Sequence, residues 1–487
     1  MVDDVPRYSF DPLERRGLLL GLQANQIAIA STGLLAAWVA IRVLAGSAGV
    51  LMALGCVVAA GAATFWTKDG RTAPSWADLS LRWCFRRLRG PLISGEPLDG
   101  FRLSGIRPIV GVEPAAGKIS SIALPGVELS ELRAELGQPV VGVVIDMASG
   151  NWVAVLPVRG RSFSLLDPED QARRLDSWRV VLNSLARSGT SVRRVQWIER
   201  TWQAGDSALL ETARTLDLAD RQCGGAVRSY AEVAAGASTA VQMHAAFVAV
   251  AVPGPRTVSG EAGRRTSDVI RRELRLLEGQ LRNGELWTSG PLDSNGIAGL
   301  MESAHSDQPS ESRTRTRRFL WAIAEDEGWS YLRAAGTLHA TYWIAEWPRI
   351  EVGPDFMSPL LMNGRRRSVS LTMAPVPLER AARQVRSART ADVADEQLRS
   401  RAGFVPNARR GKEAESTVRR EEELAVGHAE YRFSGYVTVS AGDRAGLDLA
   451  CAETEHAAQA AHLEIRRLYG RQRDAFTFTM PLARGLR

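Results

Sequence analysis

Charge is unevenly laid out along this chain: between Arg16 and Lys68 the only charged side chain is Arg42, and the stretches 17–41 and 43–67 around it are apolar. A hydrocarbon core about 30 Å thick takes roughly 20 helical residues, so each stretch is long enough to cross it. The small-residue turn at 45–49 (AGSAG) between them predicts a transmembrane hairpin. Gln23, Asn25 and Gln26 make the first stretch polar at its start, which leaves one spanning helix plus a membrane-embedded half as the alternative. A cleavable signal peptide fits less well, because the apolar region is too long and is doubled. In the second stretch Gly55, Ala59 and Ala63 recur every four residues, a spacing that lets helix backbones approach closely. That face is expected to pack on the first helix or on another membrane subunit, with plain helix-favouring Ala as the bland reading.

Past the hairpin, residues 76–92 interleave Leu79, Leu81, Trp83, Phe85 and Leu88 with Arg82, Arg86, Arg87 and Arg89. This predicts a basic juxtamembrane helix suited to an anionic membrane surface, or an ordinary amphipathic connector. From about residue 101 the pattern becomes α/β. Strands are expected at 139–146 and 152–158, joined by a hairpin turn, and Asp167 should cap a helix that opens with Pro168 and runs to about residue 188. Then follow a strand at 191–202, a helix at 206–235, a strand at 240–252, a helix at 263–282 and a strand near Leu286. Later come a strand at 366–376, a long broken helix at 378–423, a strand at 430–440, a helix at 445–468 and a strand at 475–481. The same order of strand, helix, strand, helix, strand occurs twice. It predicts an α+β protein whose soluble part is two ferredoxin-like α/β halves, each burying one sheet face under helices. The expected organisation is a segment 1–16, the hairpin 17–67, a connector 68–100, a first half 101–302, a loop and connector 303–336, and a second half 337–487. Residues 303–316 lack apolar periodicity and read as a mobile loop. Trp321, Trp329, Tyr342, Trp343 and Trp347 are expected to pack at the joint between the halves.

Charge sets orientation. Arg7, Arg15 and Arg16 precede the hairpin, and Lys68, Arg71, Arg82, Arg86, Arg87 and Arg89 follow it, so both ends are expected on the cytoplasmic side of the inner membrane. The formal charge of +7 and pI near 9.6 come almost wholly from Arg, since Lys68, Lys118 and Lys412 are the only lysines. Such a skew permits anionic partners without specifying nucleic acid. Cys56, Cys84, Cys223 and Cys451 lie far apart and form no disulfide framework, as suits a reducing cytosol.

Chemical motifs are sparse. Residues 111–120 (GVEPAAGKIS) resemble a phosphate loop, but a Walker A segment needs four residues between its glycines and a hydroxyl after the lysine, and this one has five and Ile119. His456 and His462 are six apart on a predicted helix, which does not put two ligands on one face. His244 and His339 sit singly within strands and read as packing residues, and Glu325, Asp326 and Glu327 as carboxylates solvating a helix end. No catalytic, cofactor or metal residue is assigned, and the expectation is a protein that is not an enzyme and holds no cofactor. Three basic clusters, 313–318, 365–367 and 409–412, lack interleaved aromatics and read as solvated surface.

One ordered series of short motifs carries a resemblance: 345–348 (AEWP), 353–354 (GP), 368–371 (SVSL) with 375–377 (PVP), 386–394 (RSARTADVA), 430–439 (EYRFSGYVTV) and 476–486 (FTFTMPLARGL). This resembles the N-terminal, non-catalytic domain of TrbE/CagE-type conjugative ATPases, in which a final strand leads towards the P-loop motor. The Arg7-Tyr8 segment and the hairpin look like the small PrgI-type (TrbD-like) membrane subunit of the same machines. Together they resemble actinobacterial PrgI-like membrane proteins of type IV secretion or conjugation-like loci. The resemblance implies a non-enzymatic inner-membrane subunit that anchors or docks a separately encoded P-loop motor ATPase, alongside other channel subunits and as an oligomer in the assembled machine. It carries over no catalytic residue, and it makes Phe476, Phe478 and Arg484 candidates to anchor the motor, with core filling by the two phenylalanines, alternating on one strand face, as the bland alternative. Two alternatives remain open: a membrane-tethered nucleic-acid-binding protein, and an NTPase with a divergent P-loop at 111–120.

Overall fold

The computed structural model of this chain describes residues 8, 10, 24–44, 46–65, 67–68, 71–88, 126–132, 139–160, 163, 166–187, 189–203, 242–305, 324–401 and 408–486. It divides into two compact units, one of residues 12–116 with 469–471 and one of residues 1–11, 117–468 and 472–487.

The smaller unit contains α1 (Ala24–Val43), α2 (Ser47–Phe65), a two-stranded ribbon of β1 (Thr67–Lys68) and β2 (Arg71–Thr72), and α3 (Ala73–Leu88). Its helix pair is built inside out. Ala37, Ala40 and Ala53 pack with Cys56 in the middle, while Leu34, Leu35, Trp38, Leu51, Leu54 and Val58 are exposed. In water that arrangement would leave the large apolar side chains unburied; in a bilayer it is the expected one, since small residues let the backbones meet and large ones face lipid. Gly33 is needed for the contact, because a Cβ there would collide with Ala60. Thr32 and Thr64 donate their hydroxyls to the carbonyls of Ala28 and Ala60, at 2.8 and 2.7 Å. Among the described residues, Ser47–Thr64 is long and apolar enough to cross a membrane, and Ile27–Val43 is a shorter apolar helix.

The larger unit is α+β, with its strands in one antiparallel sheet. Chain order is β3 (Val127–Leu132), β4 (Val141–Asp146), β5 (Asn151–Val158), α4 (Pro168–Leu185), β6 (Arg194–Gln203), β7 (Gln242–Pro253), α5 (Gly260–Asn283) and α6 (Ser294–His305). Then come β8 (Ala324–Glu327), β9 (Leu332–Ala334), β10 (Thr337–Glu346), a short α7 (Ser358–Leu361), β11 (Arg367–Pro375), α8 (Leu378–Arg401) and α9 (Ala408–Ala425). The chain closes with β12 (Tyr431–Ala441), α10 (Arg444–Ala460), β13 (Glu464–Arg467), α11 (Gln472–Phe476) and a 3₁₀ turn, Thr477–Thr479.

The spatial order is β3-β4-β5-β7-β6-β11-β12-β10-β9-β8, with β13 also on β10. It reads alike from either end. A meander, β3-β4-β5 or β8-β9-β10, leads into a strand that pairs with the third strand of its half, β7 or β12, which pairs in turn with the second, β6 or β11. The outer flank of β5 also takes an isolated bridge from Arg159 to Trp287, where β10 takes β13. The halves join through β6 and β11, antiparallel from Arg367 opposite Thr201 to Met373 opposite Val195.

One sheet face lies under helices. Val195, Val248, Val250 and Val252 pack against Val181 and Leu185 of α4 and Ile270, Leu274, Leu277 and Leu281 of α5. In the other half Leu338, Ala340, Tyr342, Val437 and Val439 meet Leu360 of α7 and Leu447, Ala450 and Cys451 of α10. On the reverse face, Val144, Val153, Val155, Ala249 and Ala251 are covered by Ile297, Leu300 and Met301 of α6 and by Phe476, Met480, Leu482 and Ala483. Gly142 admits α6 at this distance, since a Cβ would strike the backbone of Asp293. With both faces covered, β4 and β5 are apolar almost throughout rather than alternating.

Several expectations are corrected. The helix expected at 445–468 ends at Ala460, and the chain turns through His462, whose φ is +55°, into β13. Leu463 and Ile465 alternate with Glu464 and Arg466 on a strand period there. The strand expected at 475–481 is instead α11 and a 3₁₀ turn. Phe476, Phe478 and Met480 alternate as in a strand, but the hydroxyls of Thr477 and Thr479 return to the carbonyls of Asp474 and Phe476, at 2.6 and 3.1 Å, and favour a helical turn. Glu325, Asp326 and Glu327 lie on β8 rather than at a helix end, so residues 324–334 join the second half's meander instead of a connector. Asp167 opens α4 without a side-chain cap hydrogen bond. The helix expected at 206–235 and the loop beyond residue 305 lie outside the described residues.

Candidate functional site at the seam of the half-sheets

The seam strands β6 and β11 present different chemistry to the two sides of the sheet. On the reverse face Gln196, Ser370, Thr372, Thr438 and Thr341 form a polar floor on which the carboxy-terminal segment is laid. Gln196 donates to Ser370 Oγ (2.8 Å) and to the carbonyl of Phe478 (2.9 Å), and its own carbonyl accepts from the N–H of Ala483 (2.8 Å). Arg194 donates to the carbonyl of Ala483 at 3.0 Å, Thr372 to that of Arg484 at 2.9 Å, and Tyr436 to that of Gly485. Thr438 meets Thr479 at 2.8 Å. A segment buried without secondary structure of its own has to satisfy its backbone in this way.

Of the three residues expected to anchor a partner, Phe476 is buried and Phe478 and Arg484 are half-buried, and each is engaged within the fold. Phe476 is buried with its ring 5.0 Å from that of His305 and 4.6 Å from that of His339. Phe478 packs on Tyr436 at 4.8 Å. Arg484 donates from Nε (2.9 Å) and Nη2 (2.7 Å) to Asp146, whose side chain is 0% exposed. Burial alone would raise the Asp146 carboxyl; the hydrogen bonds and charge of Arg484, with Ser149 and the Ala148 N–H, hold it below the ordinary carboxylate range. These contacts fasten the carboxy-terminal segment to the sheet.

The Arg365-Arg366-Arg367 run, expected on solvated surface, fans out at the same seam. Arg365 makes a two-point ion pair with Glu453 of α10, at 2.6 and 2.9 Å. Arg366 donates to the carbonyl of Ser303 at 2.7 Å, and Arg200 reaches the carbonyl of Leu300 and Ser303 Oγ. Two cations thus sit against the last turns of α6, where the helix dipole favours positive charge, and Arg366 takes one of the terminal carbonyls, that of Ser303. Burial, followed by repulsion from Arg366, brings the Arg200 guanidinium down to about 9. Arg367 points to the helix face, is 2% exposed, and has no hydrogen-bond partner for Nε, Nη1 or Nη2.

Beside Arg367 on that face sits a polar set on β6 and β7. His244 Nδ1 lies 3.3 Å from Glu199 Oε1 and 3.2 Å from Thr201 Oγ1, and Thr201 stands opposite both His244 and Arg367 in the strand register. Burial raises the Glu199 carboxyl, with His244 and then Arg367 acting against it. His244, expected as a packing residue, has partners that become visible only once β6 and β7 are paired. His339, by contrast, is a packing residue: its Nδ1 lies 2.8 Å from Ser440 Oγ, and burial, then His305, lowers the imidazole to about 3.

Of the residues expected at a membrane surface, Arg82 is exposed and ion-paired with Asp78 at 2.8 Å, the side chains of Arg86 and Arg87 on α3 fall outside the described set, and Arg89 lies outside the described residues. Gly55 and Ala59 are exposed and Ala63 half-buried, so this face is not the one that meets α1; Gly49, Ala53, Cys56 and Ala60 are. Residues 111–120 and 313–318 lie outside the described residues. Among the described residues no group of three or more His, Cys, Asp or Glu side chains could hold a metal ion. No protein-family model and no curated protein matches this sequence.

Proposed function

We propose that this chain is a non-enzymatic inner-membrane subunit of a type IV secretion or conjugation-like apparatus, hung from the bilayer by a two-crossing hairpin and docking a separately encoded P-loop motor ATPase. The observation that carries the membrane part is where the chain leaves and re-enters the larger unit. Tyr8 pairs with Val352 through two backbone hydrogen bonds, at 2.9 and 3.0 Å, and Phe10 stacks on Trp347 at 5.3 Å and on Phe356 at 5.4 Å. Residues 8–10 and the sheet thus belong to one body, with the whole apolar stretch between them. A chain that starts and finishes on one side crosses an even number of times, which supports the hairpin over a single span. The inside-out packing of α1 and α2 and the flanking arginines support the same topology, with the large unit cytoplasmic.

The docking part rests on the resemblance to a conjugative motor's accessory domain. The palindromic strand order supports a duplicated, ferredoxin-like architecture: in each half the order is fourth, first, third, second strand, with a bridge at Trp287 standing for the fourth strand of the first half. Engagement of Phe476, Phe478 and Arg484 within the fold favours a dock on exposed surface over one centred on these three side chains. The nucleic-acid reading loses one basic cluster, since Arg365 and Arg366 are engaged within the fold and Arg367 is buried.

Purification of the intact chain from native membranes in mild detergent tests the proposal. A P-loop ATPase should copurify in near-stoichiometric yield, insensitive to nuclease. Recovery of the chain without any such ATPase, or capture of DNA with a steep salt dependence, would overturn it.

A further inference from the structure

Among the described residues, the helix face of the seam holds a buried guanidinium without a hydrogen-bond partner. Arg367 is 2% exposed and none of its three nitrogens is hydrogen-bonded. A buried, unpaired cation costs several kcal/mol or more in principle, so such groups ordinarily meet a carboxylate, a metal-bound ligand or an anion. Glu199 is a carboxylate that acts on it through its charge, yet among the described residues the two make no ion pair. A second unpartnered donor lies on the same face: Nε2 of Gln242 is buried without a hydrogen bond, two residues before His244 on β7. The Glu199 and Thr201 contacts occupy His244 Nδ1 and leave Nε2 as the free edge of a ring whose side chain is 29% exposed. β7 and β11 flank β6, so Arg367 and the Gln242–His244 pair stand about 10 Å apart at Cα, on either side of Thr201. The register thus puts Arg367, Gln242 and His244 on one side of the sheet, flanking the β6 row that holds Thr201.

We infer that Arg367, Gln242 and His244 bind a phosphoryl oxyanion, either inorganic phosphate or the terminal phosphate of a nucleotide. The unpartnered buried groups here are nitrogen donors, which selects an acceptor-rich ligand. They arrive from two sides of the Thr201 row, which suits a tetrahedral oxyanion with oxygens in several directions better than a planar carboxylate. Arg supplies the fork that grips two oxygens at once. Glu199 positions the imidazole and touches no ligand. Its buried carboxyl holds its proton more tightly than usual, which weakens repulsion of an anion.

The test is equilibrium dialysis of the full chain in detergent against radiolabelled inorganic phosphate, at constant ionic strength set with chloride. Saturable binding with a Kd below about 1 mM is expected, weakened at least tenfold in Arg367→Met and severalfold in Gln242→Met. Stronger competition by ATP than by unlabelled phosphate identifies a nucleotide as the source; equal or weaker competition identifies free phosphate. Either result supports the site. Absence of saturable binding to the wild-type chain, or undiminished binding in folded Arg367→Met, overturns it. If Arg367→Met does not fold, Gln242→Met and His244→Phe decide, and unchanged affinity in both overturns the assignment.

Discussion

Replacing Arg484 by Met should unfasten the carboxy-terminal segment from the sheet. The side chain makes two hydrogen bonds, 2.7 and 2.9 Å, to an Asp146 carboxylate that is 0% exposed. Its loss leaves that charge supported only by Ser149 at 2.9 Å and the Ala148 N–H at 3.1 Å. Stranding a buried charge costs about 3–5 kcal/mol. At a urea dependence of about 3 kcal/mol/M, that lowers the unfolding midpoint of the larger unit by about 1–1.7 M. The assay is urea unfolding of the full chain in detergent, followed by near-UV circular dichroism. Adding Asp146→Asn to Arg484→Met removes the stranded charge, so the double variant should recover roughly 1–3 kcal/mol of the loss. A midpoint shift under about 0.3 M for Arg484→Met, or a double variant less stable than the single, would refute the reasoning.

Two further outcomes follow. Burial first, with the nearby cations acting in the same direction, lowers His305 to about 4, and burial and His305 lower His339 to about 3. The unfolded chain binds protons below an ordinary pKa of about 6.5 that the native state refuses, so this stability is present above pH 6.5 and is lost as pH falls towards 4. The pair should cost about 2–3 kcal/mol between pH 7 and 5.5, read from urea midpoints, and His305→Gln with His339→Gln should remove that slope; an unchanged slope contradicts it. In the hairpin, Gly33→Leu should part α1 from α2 and cut oxidative cross-linking between cysteines placed at Ala37 and Ala53 severalfold, in a chain whose native cysteines are replaced. An undiminished yield would show that the close approach at Gly33 is not needed.

Strands and helices with a clean period were legible in the sequence. β4 and β5 with their turn, β6, β7, α5, β11 and β12 lie within a few residues of expectation, because their apolar positions match one regular element and one buried face. Alternation misled where a segment is buried on both sides: Phe476, Thr477, Phe478 and Thr479 alternate because rings fill the core while hydroxyls meet the polar floor, and no strand forms. The Arg365–Arg367 run looked like solvated surface because local sequence cannot say that β11 would be the central joint of two half-sheets, with each guanidinium sent to a different place. His244 looked isolated for the same reason, since Glu199 and Thr201 are over forty residues away in the chain and adjacent only across the β6–β7 ladder. In an Ala-rich helix several four-residue stripes of small residues coexist. The stripe that packs could be found only by reading α2 against Gly33, Ala37 and Ala40 of α1.

The central claim is that the chain crosses the membrane twice and returns to the side it left, and single-cysteine accessibility tests it most directly. In a chain lacking its native cysteines, Asp11→Cys, Ser47→Cys or Glu128→Cys is exposed to a membrane-impermeant maleimide on intact spheroplasts and again after permeabilisation. Labelling of Ser47→Cys on intact spheroplasts, with Asp11→Cys and Glu128→Cys reacting only after permeabilisation, is the predicted result. Asp11→Cys and Glu128→Cys on opposite sides, or all three on one side, would contradict it.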